Sequence, residues 1–285
     1  MSEKPILFKA EMVRALLAGG KTQTRRIVTP QPQRDGRWWL IRNTRPMRLP
    51  GGHEVASEVK TNDRAYVRAV LALNFARYAV GDHLWVREGW RCTGGGDWKG
   101  ILYRADGPDS PMSHCGVNDG RARTIAPTDW PQWDRLVYQT DTSCDWRPSI
   151  FMPKWAARLW LEVTEVRCQR LQEIKHGDIQ AEGITCPGDC LGGCFERFNA
   201  LWDSINAPPK RKKRHPYTGL RHDCYVSYPW SAGRETRQYK GLPWYVIGDP
   251  WVFAYGLKVL KGKRDGDADT VDAAHVESGS GLYEG

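Results

Sequence analysis

The sequence predicts a mainly β protein with peripheral helices, an α+β chain organised as a small β-barrel decorated by inserts. Three observations lead there. Period-two apolar alternation recurs in short, separated segments, most clearly at Leu159, Leu161, Val163 and Val166, as half-buried strands require. Helical periodicity is confined to a few short stretches. The intervening segments at 30–66 and 92–150 read as inserts: the first looks irregular, with three prolines by Pro46 and paired Trp38 and Trp39, and the second, rich in Gly, Pro, Trp and Asp, is too long for a plain loop and reads as an elaboration wrapped on the core.

The elements follow in order. A short extended piece, Ile6 to Phe8, precedes an amphipathic helix carrying Met12, Leu16 and Leu17. Gly19-Gly20 then releases the backbone into a turn. Residues 30–66 look irregular, with strand-like alternation around Trp38 to Ile41. A Gly81-Asp82 turn feeds a strand at Leu84 to Val86. Within 92–150, strands are expected at Ile101 to Arg104 and near Leu136 to Tyr138. Residues 155–171 give the clearest strand, with a register shift before Val166. A short helical pair follows at Leu171 to Ile184, then a helix at Phe195 to Ile205 ended by Pro208-Pro209. A last strand runs from Trp251 to Leu260. The expected organisation is one domain over 1–260, with inserts at about 30–66, 92–150 and 186–240, and a disordered acidic tail at 261–285.

Composition narrows the function classes. The 285 residues carry a net charge of +9. The tail holds three Lys/Arg against six Asp/Glu, so the body is near +12. A basic excess favours nucleic acid or another polyanion as partner. Many of the 14 Trp sit among Gly, Pro and Arg, where they either stack on bases or pin long loops to the body. The N-terminus has no signal-peptide h-region and no run reaches 18 apolar residues, so neither secretion nor a membrane span is expected. The eight Cys in a chain of this size suggest a reduced, cytoplasmic protein.

Taken in order, the landmarks LLAGGKTQTRR at 16–26, GDHLWVRE at 81–88, LWLEVTEVR at 159–167, LQEIKHGDIQAEGI at 171–184 and PWVFAYGLKVL at 250–260 resemble the ASCH family. That resemblance implies a PUA-like β-barrel. The length is most similar to that of large ASCH proteins of phages and prophages, which implies a bacterial cytoplasm. The compact members are N4-acetylcytidine amidohydrolases, and their catalytic Lys, Thr and Glu fall on Lys21, Thr24 and Glu182, with the following Arg on Arg26. The long inserts depart from those enzymes.

Amide hydrolysis needs a nucleophile, a base and oxyanion stabilisation. Thr24 supplies a hydroxyl, and Lys21 is a base if burial or Arg25 and Arg26 depress its pKa. Glu182 orients Lys21 or protonates the leaving amine, although pairing with Lys21 would raise the lysine pKa. The alternative is a non-catalytic DNA- or RNA-binding module, in which Arg and Lys hold phosphate while Thr24 and Glu182 read a base edge. The same residues could also form only a solvated polar turn. Arg87, Glu88 and Trp90 end the Leu84–Val86 strand, where Glu88 would accept from an exocyclic amine and Trp90 would stack on a ring. Asp82 is assigned to its turn.

Two further motifs stand out. Cys186, Cys190 and Cys194 follow a Cys-x3-Cys-x3-Cys spacing, wider than the usual zinc-knuckle step. Cys224 is the candidate fourth ligand, with His222, Cys168 and His176 as others. Structural zinc, or an iron–sulfur cluster as the lesser option, is weighed against unliganded thiols; the proposed hydrolysis needs no cofactor. Lys210, Arg211, Lys212, Lys213 and Arg214 form a run of five cations, read as a flexible basic arm for phosphate contact or as a solvated loop. The expected partner is RNA, DNA or a modified pyrimidine nucleoside.

Overall fold

The computed structural model describes residues 2–42, 47–48, 54–55, 58–95, 98–107, 123–125, 127–138, 146–185, 191–230 and 233–260. It is mainly β. Its centre is a five-stranded sheet in the order Glu3–Leu7, His83–Arg87, Trp160–Arg170, Trp251–Leu260 and Gln23–Ile27. The first pair is parallel and the other three are antiparallel. The strands expected near 6–8, 84–86, 159–166 and 251–260 are all present. The register shift expected before Val166 is a bulge between Val163 and Glu165, opposite Leu257 and Gly256. Gly256 is required there: a Cβ would lie 2.8 Å from Thr164 Oγ1 and 3.0 Å from Glu165 Cβ.

Among the described residues the ladder does not close into a barrel. The two edge strands instead approach through a side chain, with Arg26 Nη2 donating to Leu7 O at 2.7 Å. The Ala10–Leu17 helix buries Val13 and Leu16 in the main core, beside Ile6, Leu84, Val163 and Phe253. Its exit matches the sequence reading, since Gly19 adopts φ +73°, a conformation that glycine enters without a Cβ penalty.

The inserts are more structured than expected. Residues 33–61 contain a three-stranded sheet of Gln33–Asp35, Trp38–Arg42 and Glu58–Thr61. A helix at Arg64–Phe75 was not foreseen. Asp63 caps it by accepting from Ala65 N at 2.7 Å, and it buries Val67, Val70 and Leu71. In the second insert, Trp90–Gly95, Trp98–Tyr103 and Arg123–Thr124 form another sheet. The strand expected near Leu136 to Tyr138 is instead the end of a helix, Trp130–Tyr138. Its Trp133 is buried and donates from Nε1 to Gly100 O at 3.1 Å.

The basic run also needs correction. Lys210–Arg214 is a strand and not a flexible arm. It is the edge of a four-stranded sheet completed by Arg221–Ser227, Leu242–Ile247 and Arg234–Tyr239, and all five of its residues are exposed. The helical pair is present as a 3-10 turn at Leu171–Glu173 and a helix at His176–Ala181, followed by the Leu191–Asn206 helix. No helix among the described residues is long and apolar enough to cross a membrane. The acidic tail expected at 261–285 lies outside the described residues.

Candidate functional site

The helix-to-strand turn places Lys21. After Gly19, the Lys21 amide donates to Ala15 O at 3.0 Å. The chain then forms an isolated antiparallel bridge between Lys21 and Glu182, and Thr22 N donates to Ala181 O at 2.8 Å. The C-terminal end of the His176–Ala181 helix is thereby fixed against the entry to the Gln23–Ile27 strand. Gly183 makes the approach feasible. It adopts φ +83°, and a Cβ there would lie 2.9 Å from Ala15 Cβ and 3.1 Å from Lys21 Cβ.

The side chains form a buried ionic network. Lys21 Nζ donates to Glu182 Oε2 at 2.8 Å and to Glu182 O at 2.9 Å. Arg25 Nη1 donates to Glu182 Oε1 at 3.0 Å and to Gln23 Oε1 at 2.8 Å. Asp178, one helical turn before Glu182, lies on the same helix face. Its Oδ2 is 3.1 Å from Arg25 Nη2, and its Oδ1 accepts from Arg167 Nη2 at 2.9 Å. Burying a single charge here would be costly, and reciprocal pairing offsets that cost.

Burial, the strongest influence, lowers the Lys21 pKa; Glu182 opposes this, while Arg26 and Arg25 add to it. Burial would raise the Asp178 pKa, but Arg167, the Lys175 amide and Arg25 together hold it below its ordinary value. Both conditions weighed in the sequence for Lys21, depression by burial and pairing with Glu182, are met at once, and the depression prevails.

Lys21, Thr24, Arg25, Arg26 and Glu182 line one cavity of about 570 Å³. They reach it from the turn, an edge strand and the end of a helix. The Thr24 side chain has no hydrogen-bond partner among the described residues, and the residue is only 5% exposed. The far wall is apolar, built by Phe198, Leu201, Trp202 and Ile205 of the Leu191–Asn206 helix, with Phe8 and Tyr228. Trp202 is oriented by donation from Nε1 to Tyr228 O at 2.8 Å. Lys9, Lys210 and Lys212 complete the rim. A volume of this size holds a nucleoside-scale ligand, with an apolar wall for a flat ring and a few convergent polar groups.

Other expected site residues lie elsewhere. Glu88 and Trp90 do not line this cavity. Glu88 is 1% exposed and takes a bidentate pair from Arg158, Nε to Oε1 at 2.9 Å and Nη2 to Oε2 at 3.0 Å. Trp90 is fully buried in the second core, with Trp85, Ile101 and Tyr103. The strand ends at Arg87, and after Glu88 and Gly89 the chain enters the insert sheet at Trp90. Arg87 stacks on Trp85, 4.5 Å from the ring centroid, and borders a separate, smaller cavity. Of the basic run, Lys210 and Lys212 reach the large cavity, Arg211 pairs with Asp223 at 3.1 Å, and Arg214 donates to Gly219 O at 3.0 Å. Lys213 is exposed on the same strand.

The metal expectation fares differently at each cysteine. Cys186 and Cys190 lie outside the described residues. Cys194 is disulfide-bonded, which removes its sulfur as a thiolate ligand and departs from the expectation of reduced cysteines. Cys224 is free and buried in a different cluster, with Val226, Tyr228 and Ile247. No group of three or more potential ligands stands ready for a metal among the described residues.

Sequence reasoning missed the aromatic wall and Asp178. The helix at 195–205 was foreseen, and Phe198, Leu201, Trp202 and Ile205 share one of its faces. An apolar face reads as core from sequence alone, and here part of it faces a cavity. No family model matches this chain, and neither does any curated protein or solved structure.

Proposed function

We propose that the large cavity accepts a modified pyrimidine and that the protein hydrolyses an N-acyl bond on its exocyclic amine, as the resemblance to ASCH amidohydrolases on a PUA-like scaffold suggests. The observation that carries this reading is the convergence of Lys21, Thr24 and Glu182 on one cavity with an aromatic wall. A neutral lysine amine has two N–H donors and one lone pair. Glu182 Oε2 and Glu182 O accept those two donors, which leaves the lone pair to take a proton. In the proposed reaction, Thr24 attacks the acyl carbon as its hydroxyl proton passes to Lys21. Arg26 stabilises the oxyanion. The C–N bond then breaks, the leaving amine takes the proton from Lys21, and water releases the acyl group from Thr24 as a carboxylic acid. Glu182 is a positioning residue in this scheme, because it holds Lys21 and Arg25.

The test is acetate release from N4-acetylcytidine, free and within oligonucleotides. Turnover is expected for the unaltered protein and a loss of about 10³-fold or more for Thr24→Ala and Lys21→Ala. No turnover on any acylated nucleoside or oligonucleotide would defeat the enzymatic reading. A second reading, a non-catalytic binder of a flipped or single-stranded base, is favoured by the cationic strand at the rim. It predicts RNA or DNA binding without turnover.

A further inference from the structure

The smaller cavity, about 240 Å³, lies at the seam between the two edge strands and shares Leu7, Arg26 and Ile27 with the large one. Three arginines line it, Arg26, Arg77 and Arg87, together with Tyr78 and Tyr255, and no Asp or Glu does. None of the three arginines forms an ion pair with a described residue, whereas the buried or half-buried Arg25, Arg158 and Arg170 do. Arg87 Nε is shielded from solvent and has no hydrogen-bond partner. Arg26 gives Nη2 to Leu7 O, and its other guanidinium nitrogens have no protein partner among the described residues. The aromatic groups are already engaged: Tyr78 donates to Pro5 O at 2.9 Å, and Tyr255 Oη accepts from Arg77 N at 3.2 Å. The donors left over are therefore guanidinium groups.

Three like charges around one small cavity repel one another, and an unpaired buried donor is costly. One anion with several acceptor oxygens relieves both. Guanidinium planes match a phosphate in bidentate geometry, which a single carboxylate oxygen cannot reproduce for three partners.

We propose that the seam cavity is a phosphate site, and that it takes the phosphate of the nucleotide whose base occupies the large cavity. This assignment of substrate class, a nucleotide or polynucleotide and not a free nucleoside, rests on the base-binding reading above. Arg26, common to both cavities, lies between the two halves of the ligand.

Calorimetric titration of the full chain with cytidine, cytidine 5′-monophosphate, a short cytidine oligonucleotide and inorganic phosphate tests it. The monophosphate is expected to bind at least about tenfold more tightly than cytidine, the effect of one charge-assisted contact or more. In Arg77→Gln and in Arg87→Gln, the ratio of the two affinities should fall towards one. Arg77 is exposed, so its replacement keeps the test valid if Arg87→Gln does not fold. A gain for the oligonucleotide and none for the monophosphate, still dependent on Arg77, identifies an internal phosphodiester as the source.

Equal affinities for cytidine and its monophosphate, with no Arg77-dependent gain for the oligonucleotide, overturn the phosphate site and leave the base reading intact. A phosphate gain that survives both arginine changes but vanishes in a Lys210→Gln, Lys212→Gln double variant also overturns it. Arg77-dependent binding of inorganic phosphate without any binding of cytidine or of N4-acetylcytidine upholds the anion site and defeats the base reading instead.

Discussion

At the scale of single residues, Glu182 carries the most. One carboxylate pairs with Lys21 and Arg25, and its backbone carbonyl accepts from the same lysine. Glu182→Gln keeps the volume and removes the charge, leaving Lys21 without its carboxylate partner and Arg25 with Asp178 alone. A loss of about 3 kcal/mol is expected in urea unfolding at pH 7; an unchanged midpoint would show that the network is not stabilising. Lys21 makes a pH prediction. Its pKa lies below the ordinary 10.5, chiefly through burial. If it accepts the Thr24 proton, kcat/KM rises with pH along a limb centred below 10.5. A rate that is flat with pH up to that value would remove Lys21 from the role of base. Lys21 and Thr24 were legible as candidates because a Gly-Gly turn followed by Lys, Thr and Arg is local, whereas Glu182, distant in the chain, entered only through the family resemblance. The placement of Glu88 and Trp90 was not legible. Whether a strand end opens on a cleft or leads into another sheet depends on pairing with later segments, here Trp98–Tyr103 and Arg123–Thr124.

At the scale of elements, the turn and the helix end are held together by close approach. Gly183→Ala adds a Cβ at φ +83° that meets Ala15 and Lys21. The expected outcome is a destabilisation of about 1–3 kcal/mol, with loss of the proposed turnover as the Lys21–Glu182 bridge is displaced. Retention of both, read by thermal unfolding and acetate release, would show that the bridge tolerates movement. The long central strands were readable because their alternation persists over many residues, and even the bulge after Val163 left its mark as a broken register. The helix at Arg64–Phe75 escaped because it begins inside a stretch dominated by charge and irregular composition. The Lys210–Arg214 strand escaped for a different reason: consecutive cations carry no alternation, and only pairing with Arg221–Ser227 makes them a strand.

At the scale of the whole molecule, Asp82 ties the N-terminus to the central sheet. Ser2 Oγ and Lys4 Nζ each donate to it at 2.6 Å, and Ala79 N donates at 2.8 Å. Burial pushes this carboxyl up, but the Ala79 amide, Lys4 and Ser2 outweigh it and hold the pKa at about 2. The folded value is below the unfolded one of about 3.9. The stabilisation is therefore full above about pH 4 and lost as pH falls towards about 2. It amounts to about 1–2 kcal/mol, allowing for the partial exposure of Lys4. Asp82→Asn should flatten the acid end of the stability profile; an unaltered slope would place the acid sensitivity elsewhere.

The cationic strand has a consequence for self-association. Lys210–Arg214 leaves the outer side of a four-stranded sheet without a pairing strand among the described residues, and backbone donors and acceptors in such a position can template a second chain. Five positive charges make two copies repel at that face. Replacing all five with glutamine should produce concentration-dependent assembly visible by light scattering at low ionic strength. A variant that stays monodisperse would show that the edge is protected by something other than its charge.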